Sequence, residues 1–455
     1  MTQTKRPNVI WVISDQMRAQ AMSYIGDPNV RTPNLDRMAW EGMSFTNAVS
    51  GAPLCSPFRG ALLTGMYPHH SSVPGHDYPL STEVPTVAHA FRAAGYRTCW
   101  VGKWHLDGNR EGLDLTQQEN IPRFRQIPAD RRGGFEDWWA FEYSNEPFRS
   151  RIHTDVNGET VSYRMPGYQT DDLTDIFIDW LKDRPKDEPF FGVLSVEQPH
   201  TPYIAPAENM AHYNPAGLKL RPNVPDVKWV TERARTELMG YYAAIERVDY
   251  NVGRLRAALE ELDLDDDTYV IFFADHGDMH GSHGQFWKTA PWEESCRIPF
   301  IIRMPGRSFQ VMLQNPTLIN HVDIAPTTLG ICGINKPEGM EGQDYSNQFL
   351  DYQPVFDRPM SEQVPPNAPD SVYLSIPVPT YHPDSVDRPW RAIITADGWK
   401  YAALEGQPWL MFNLNDDPYE LINLAHNTWF RHRRKQLQER LAQWIHDTQD
   451  EFKLA

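Results

Sequence analysis

Leu54-Cys55-Ser56-Pro57-Phe58-Arg59-Gly60-Ala61-Leu62-Leu63-Thr64-Gly65 is the stretch from which the rest of the chain can be read. Pro57 suits the first turn of a helix, where its missing N–H costs nothing and its fixed φ is already helical. Cys55 then sits at the helix start, near the positive end of the dipole. Arg59, one turn on, shares the face of Cys55, and Gly65 is placed for a left-handed stop. A sulfur beside a guanidinium and free backbone N–H groups makes a site for an anion. A buried structural cysteine ahead of a proline-started helix accounts for the same residues without chemistry. What separates the two readings is whether other strands bring partners to this helix.

Several do. Val9 to Ser14 is a continuous apolar run that ends in Asp15-Gln16, the pattern of a parallel strand buried on both faces. Open α/β sheets bind ligands at the carboxyl ends of such strands. Tyr96 to Val101 reads as a second strand and feeds Gly102-Lys103-Trp104-His105-Leu106. Extended backbone there places Lys103 and His105 on one side. Phe190 to Val196 ends in Glu197-Gln198-Pro199-His200-Thr201-Pro202-Tyr203, and Tyr269 to Ala274 ends in Asp275-His276-Gly277-Asp278. Singly, each has an ordinary reading: a helix-capping Asp, an exposed Lys, a structural His beside Pro. Together they are strands that consistently deliver charged or imidazole side chains at their carboxyl ends. His276, His280 and His283 invite a zinc reading, but the spacing is not His-Glu-x-x-His, and Gly281 and Gly284 interrupt a helix. His280 and His283 are therefore placed on a rim or loop.

Cys55-x-Pro57-x-Arg59, closed by Thr64-Gly65, resembles the type I sulfatase signature, with Phe58 where serine is usual. Gly102-Lys103-Trp104-His105-Leu106 resembles the second signature of that family. Asp15-Gln16 resembles its first metal motif, with Gln16 in place of a second Asp, and Phe273-Ala274-Asp275-His276-Gly277 its second. His200-x-Pro202-Tyr203, Lys288 and Thr32-Pro33-Asn34-Leu35-Asp36 follow the same pattern. The resemblance covers most of the chain and implies the alkaline phosphatase superfamily. Its fold is α/β: a large mixed, mostly parallel sheet sandwiched by helices, with a smaller C-terminal α+β subdomain. It implies oxidation of Cys55 to formylglycine by a formylglycine-generating enzyme. It also implies a divalent cation on Asp15, Gln16, residue 55, Asp275 and His276. Oxygen donors suit a hard ion, so Ca²⁺ comes first, then Mg²⁺ or Mn²⁺. Arg59, Lys103, His105, His200 and Lys288 then surround the sulfate. In the family's reaction the hydrated aldehyde attacks sulfur, and His200 or Lys288 protonates the leaving alcohol. His105 then takes the proton that lets sulfate go. Gln16 also occurs in phosphonate monoester hydrolases, the nearest alternative; Lys103 and His105 speak against that branch. A sulfated-sugar sensor without turnover is a third class, disfavoured by the complete catalytic set.

The 455 residues suggest a large domain, 1–360, and a smaller one, 361–455, with a Pro-rich loop region at 351–389 between them. A net charge of −17 speaks against nucleic acid as a partner. No apolar run has the length to span a membrane. Cys55, Cys99, Cys296 and Cys332 form no disulfide framework, and no signal peptide precedes the first strand, so a cytoplasmic location is expected. The expected substrate is a small-molecule or short-saccharide sulfate ester. Gly133 to Trp139 is an aromatic cluster that fits a pocket wall or core packing equally. Trp138 and Trp139, with His382 and Arg391 near the subdomain junction, are the candidate substrate-binding residues. The run from Ile245 to Leu262 carries one buried helical stripe. Arg431 to Lys435 reads as a solvated helix face.

Overall fold

The computed structural model describes residues 6–109, 113–305, 313–350, 368–382 and 384–454. Among them the large sheet contains β1 (Asn8–Asp15), β2 (Met43–Val49), β3 (Arg97–Lys103), β4 (Asp137–Phe141), β5 (Arg151–Val156), β6 (Glu159–Arg164), β7 (Phe190–Pro199), β8 (Thr268–Ala274), β9 (Phe300–Arg303) and β10 (Leu313–Asn320). Their order is β10-β2-β9-β8-β1-β7-β3-β4-β5-β6. A second, antiparallel sheet takes β11 (Ser371–Ile376), β12 (Trp390–Thr395), β13 (Trp399–Leu404) and β14 (Gln407–Asn413), with the Arg431–Asp447 helix packed on it. This is the expected α/β class with a small α+β subdomain.

The strands singled out in the sequence, β8, β1, β7 and β3, are adjacent and parallel. Their carboxyl ends therefore open on one edge, where a ligand crevice forms. All residues of β1, β7 and β8 are buried, which is why these strands are apolar without alternation. β1 follows β7 residue for residue to Ser14, then slips so that Asp15 faces Pro199. The two strands thus lose register where the crevice begins. The Gln169–Asp183 and Lys228–Glu261 helices pack against β7.

The 360/361 boundary lies outside the described residues. One sequence reading needs adjustment: β11 occupies part of the region read as loop. A short run between prolines, Ser371-Val-Tyr-Leu-Ser-Ile, carries too little periodicity to declare a strand by itself. One apolar cluster joins the two sheets, with Val49, Leu54 and Leu318 packed together with Val372, Leu374 and Trp390. Among the described residues no helix is long and apolar enough to cross a membrane.

Candidate active site

The Cys55–Thr64 helix starts after an extended Leu54 and ends at Gly65 with φ 64°, whose N–H donates to the Ala61 carbonyl. Every residue in it is buried, so its polar groups must find partners inside the protein. Phe58 stacks on His321 at 5.0 Å and fills core space rather than the site. Arg59, fully buried, ties the strand ends together. Its NH1 donates to the Lys103 carbonyl at 3.0 Å and to Ser195 Oγ at 2.9 Å. Its NH2 reaches Asp15 Oδ2 at 3.2 Å and Asp275 Oδ2 at 3.3 Å. These partners stand on or just after β3, β7, β1 and β8.

Cys55 Sγ lies at the centre. Lys288 Nζ and His276 Nε2 are each 3.1 Å away, Asp15 Oδ1 is at 3.6 Å and Lys103 Nζ at 3.9 Å. Burial and Asp15 push the thiol up, but Lys103, Lys288 and His276 outweigh them and lower it. Lys103 Nζ also meets Asp15 Oδ2 at 2.6 Å. Burial alone raises the Asp15 carboxyl; Lys103 first, with Arg59 and Lys288, holds it well below the usual carboxylate range. His200 is held well below the ordinary histidine value by burial and by Lys288 and Lys103. Its neutral Nε2 therefore accepts from Lys288 Nζ at 3.0 Å.

Ligand atoms of Asp15, Cys55, Asp275 and His276 lie within 4.8 Å of one another. His276 Nδ1 donates to the Gly277 carbonyl at 3.0 Å, which directs Nε2 at the cluster. Gln16 Oε1 is 3.0 Å from Lys288 Nζ. Two carboxylates, an amide oxygen and one imidazole fit a hard divalent cation. Gly277 admits no side chain here: a Cβ would stand 2.0 Å from the Glu294 carbonyl oxygen. That close approach lets His276 and Asp278 both turn inward.

The remaining candidates divide between the site and other parts of the fold. His105 follows Lys103 with a left-handed φ of 58°, and burial, with Lys103, His76 and Arg59 close by, holds its imidazole well below the ordinary histidine value. Its ring lies 5.1 Å from His76 and 4.9 Å from Tyr143. Trp138 and Trp139 do not wall the site. They belong to the amino-terminal half of β4, away from the carboxyl edge. Trp138 is buried on Trp104 at 5.2 Å under the Arg132 guanidinium, and Trp139 adjoins Ile176 and Trp180. Arg391 is buried in the small sheet and gives Nε and NH2 to Asp450 at 2.6 and 2.8 Å. It holds the C-terminal segment. His382 stands beside the site, 5.6 Å from His76.

Sequence reasoning missed His76 and Asp278. His76 Nδ1 meets the hydroxyl of Ser56, the residue after Cys55, at 3.1 Å. It lies in a loop with no strand to mark it. Asp278 was visible beside Asp275-His276, yet its contact with Gln16 comes only from the fold.

The family model for Sulfatase matches residues 7–334. An ulvan-active sulfatase of Formosa agariphila is 35% identical over 453 residues, covering 98% of this chain and 83% of the relative. An endo-4-O-sulfatase of Bacteroides thetaiotaomicron is 30% identical over 462 residues, covering 93% and 88%. A solved structure from a Bacteroides thetaiotaomicron locus for glycosaminoglycan metabolism superposes with a TM-score of 0.83. It is 27% identical, covering 98% of this chain and 97% of that one.

Proposed function

This chain belongs to the sulfatase family and hydrolyses sulfate esters, and we propose that its substrate is a sulfated saccharide attacked by a formylglycine derived from Cys55. The observation that carries the reading is the setting of Cys55 Sγ, with Lys288 Nζ and His276 Nε2 each at 3.1 Å and Lys103 Nζ at 3.9 Å. The saccharide is supported by the ulvan-active and endo-4-O-sulfatase relatives.

Asp15, Gln16, Asp275 and His276 would hold the divalent cation, Ca²⁺ first, which supplies Lewis-acid help to the sulfate oxygens. Formylglycine, made by a formylglycine-generating enzyme, supplies as its hydrate one hydroxyl to attack sulfur and a second whose deprotonation releases sulfate. Arg59, Lys103 and Lys288 converge on the same point and stabilise the charge that builds there, with no reorganisation needed. Lys288, hydrogen-bonded to neutral His200, gives the departing alcohol oxygen its proton. His105 is buried within reach of the charges of Lys103 and Arg59, and its Nδ1 has no hydrogen-bond partner among the described residues. It is the base for the release step.

Gln16 favours a second reading, phosphonate monoester hydrolysis, because it removes one negative charge from the cation site. Lys103, placed on Asp15, restores a sulfatase pattern. Sulfate release from ulvan and chondroitin 4-sulfate oligosaccharides, followed by ion chromatography with Cys55→Ala as blank, tests the proposal. Release by the wild type alone supports it. No release from either, alongside turnover of an aryl sulfate, overturns the saccharide assignment.

A further inference from the structure

A wall of rings in mutual contact runs outward from the catalytic cluster. His105 is followed by His76 at 5.1 Å, His382 at 5.6 Å and Trp287 at 5.9 Å. The Arg233 guanidinium then lies 5.8 Å from the Trp287 ring and 3.8 Å from that of Phe286. Trp229 follows, 6.2 Å from Phe286. The wall joins the two sheets. The Phe286 N–H donates to the Asp384 carbonyl at 3.0 Å, Arg233 NH2 to Asp384 Oδ2 at 2.9 Å, and the Thr289 hydroxyl to the Val386 carbonyl at 2.7 Å.

We propose that this wall binds further sugar rings of the saccharide whose sulfate occupies the pocket, so that the substrate is an oligomer. The proposal rests on the saccharide reading above. Single exposed hydrophobic residues need no explanation, but here ring contacts link a catalytic histidine to the exposed Trp229, by way of Phe286, which is buried beneath Arg233. Tyr381, next to His382, is 84% exposed and Trp229 59% exposed, large rings left without a partner on their outer faces. Tyr381 and Trp287 also have left-handed backbone, φ 59° and 65°. That conformation is costly for bulky residues and is kept where the surroundings impose it. Asp387 Oδ1 imposes it on Tyr381 by accepting the N–H groups of Thr380 at 2.7 Å and Tyr381 at 2.6 Å. Between the rings, His382 Nε2 is buried with no hydrogen-bond partner among the described residues. An apolar ring face beside an unspent imidazole nitrogen matches a pyranose, which offers a C–H face and a rim of hydroxyls.

The test is calorimetric titration of Cys55→Ala protein with ulvan, chondroitin 4-sulfate and heparin fragments of two and six residues. The wall predicts that, in at least one series, the hexasaccharide binds about tenfold or more tighter than the disaccharide. Trp229→Ala and Tyr381→Ala, each added to Cys55→Ala, should erase that difference; both residues are exposed, and unfolding temperature checks the fold. Equal binding of both lengths in every series, or a length effect untouched by both variants, overturns the proposal. Aryl sulfate turnover by the wild-type protein tests the sulfatase chemistry separately, so the two cannot be confused.

Discussion

Gln16 and Asp278 share one short hydrogen bond, Nε2 to Oδ2 at 2.5 Å, and it decides which way the Gln16 amide faces. Asp278 is fully buried and also accepts from the Tyr203 hydroxyl at 2.6 Å and from the N–H groups of His280 and Trp287, each at 3.1 Å. Burial pushes its carboxyl up, but His280, Tyr203 and Gln16 outweigh that and lower it. An ionised carboxylate can only accept, so Gln16 must offer its NH2, which leaves Oε1 to accept from Lys288 Nζ at 3.0 Å. Asp278→Asn should weaken Ca²⁺ binding about 10- to 100-fold, measured by calorimetry, because the amide loses its fixed orientation. Unchanged affinity would mean that Gln16 is oriented by Lys288 alone.

Arg59 touches Asp15, Asp275, Ser195 and the Lys103 carbonyl at once. Arg59→Ala leaves two buried carboxylates short of a partner. The expected loss is about 3–5 kcal/mol in chemical denaturation without metal, partly restored by Ca²⁺. A metal-independent loss would place the effect in packing.

Lys288 touches Cys55, Gln16 and His200. Lys288→Ala and His200→Ala should each lower kcat by about 10²-fold or more if the pair protonates the leaving alcohol. The loss should shrink for aryl sulfates with very acidic leaving groups, which need no proton. A loss independent of the leaving group would assign the pair to binding sulfate.

Strand ends were legible in the sequence because β1, β7 and β8 are buried on both faces and must be apolar until the chain turns polar at the crevice. Asp15, His200, Asp275 and His276 stand at those turns, and the Cys55–Thr64 helix carries its own start and stop residues. Aromatic character could not separate core from pocket, so Trp138 and Trp139 were misplaced. The left-handed φ of His105, just after β3, was invisible in the spacing. His76 and Arg391 depend on contacts between distant segments, with Ser56 and Asp450, that no local pattern encodes.

Trp138→Ala should therefore lower stability by about 3–5 kcal/mol and leave KM unchanged, as a core truncation does. A raised KM with unaltered stability would return Trp138 to the pocket.

Asp450 titrates at about 2, against 3.8 unperturbed; burial pushes it up, and Arg391 above all, with Tyr373 and His69, holds it down. A depressed carboxyl stabilises the fold fully above its unfolded value, and that stabilisation is lost as pH falls toward the folded one. Asp450→Asn should lower the unfolding temperature at neutral pH and flatten the acid limb between about pH 4 and pH 2. An unaltered acid limb would show that the Arg391 pair contributes nothing to stability.

Rates on an aryl sulfate and the matching aryl phosphonate monoester decide the chemistry at residue 55. The protein is coexpressed with a formylglycine-generating enzyme, and Cys55→Ala is the blank. A sulfatase prefers the sulfate, and that turnover disappears in the variant. Preference for the phosphonate, or sulfate turnover that survives in Cys55→Ala, would rule this chemistry out.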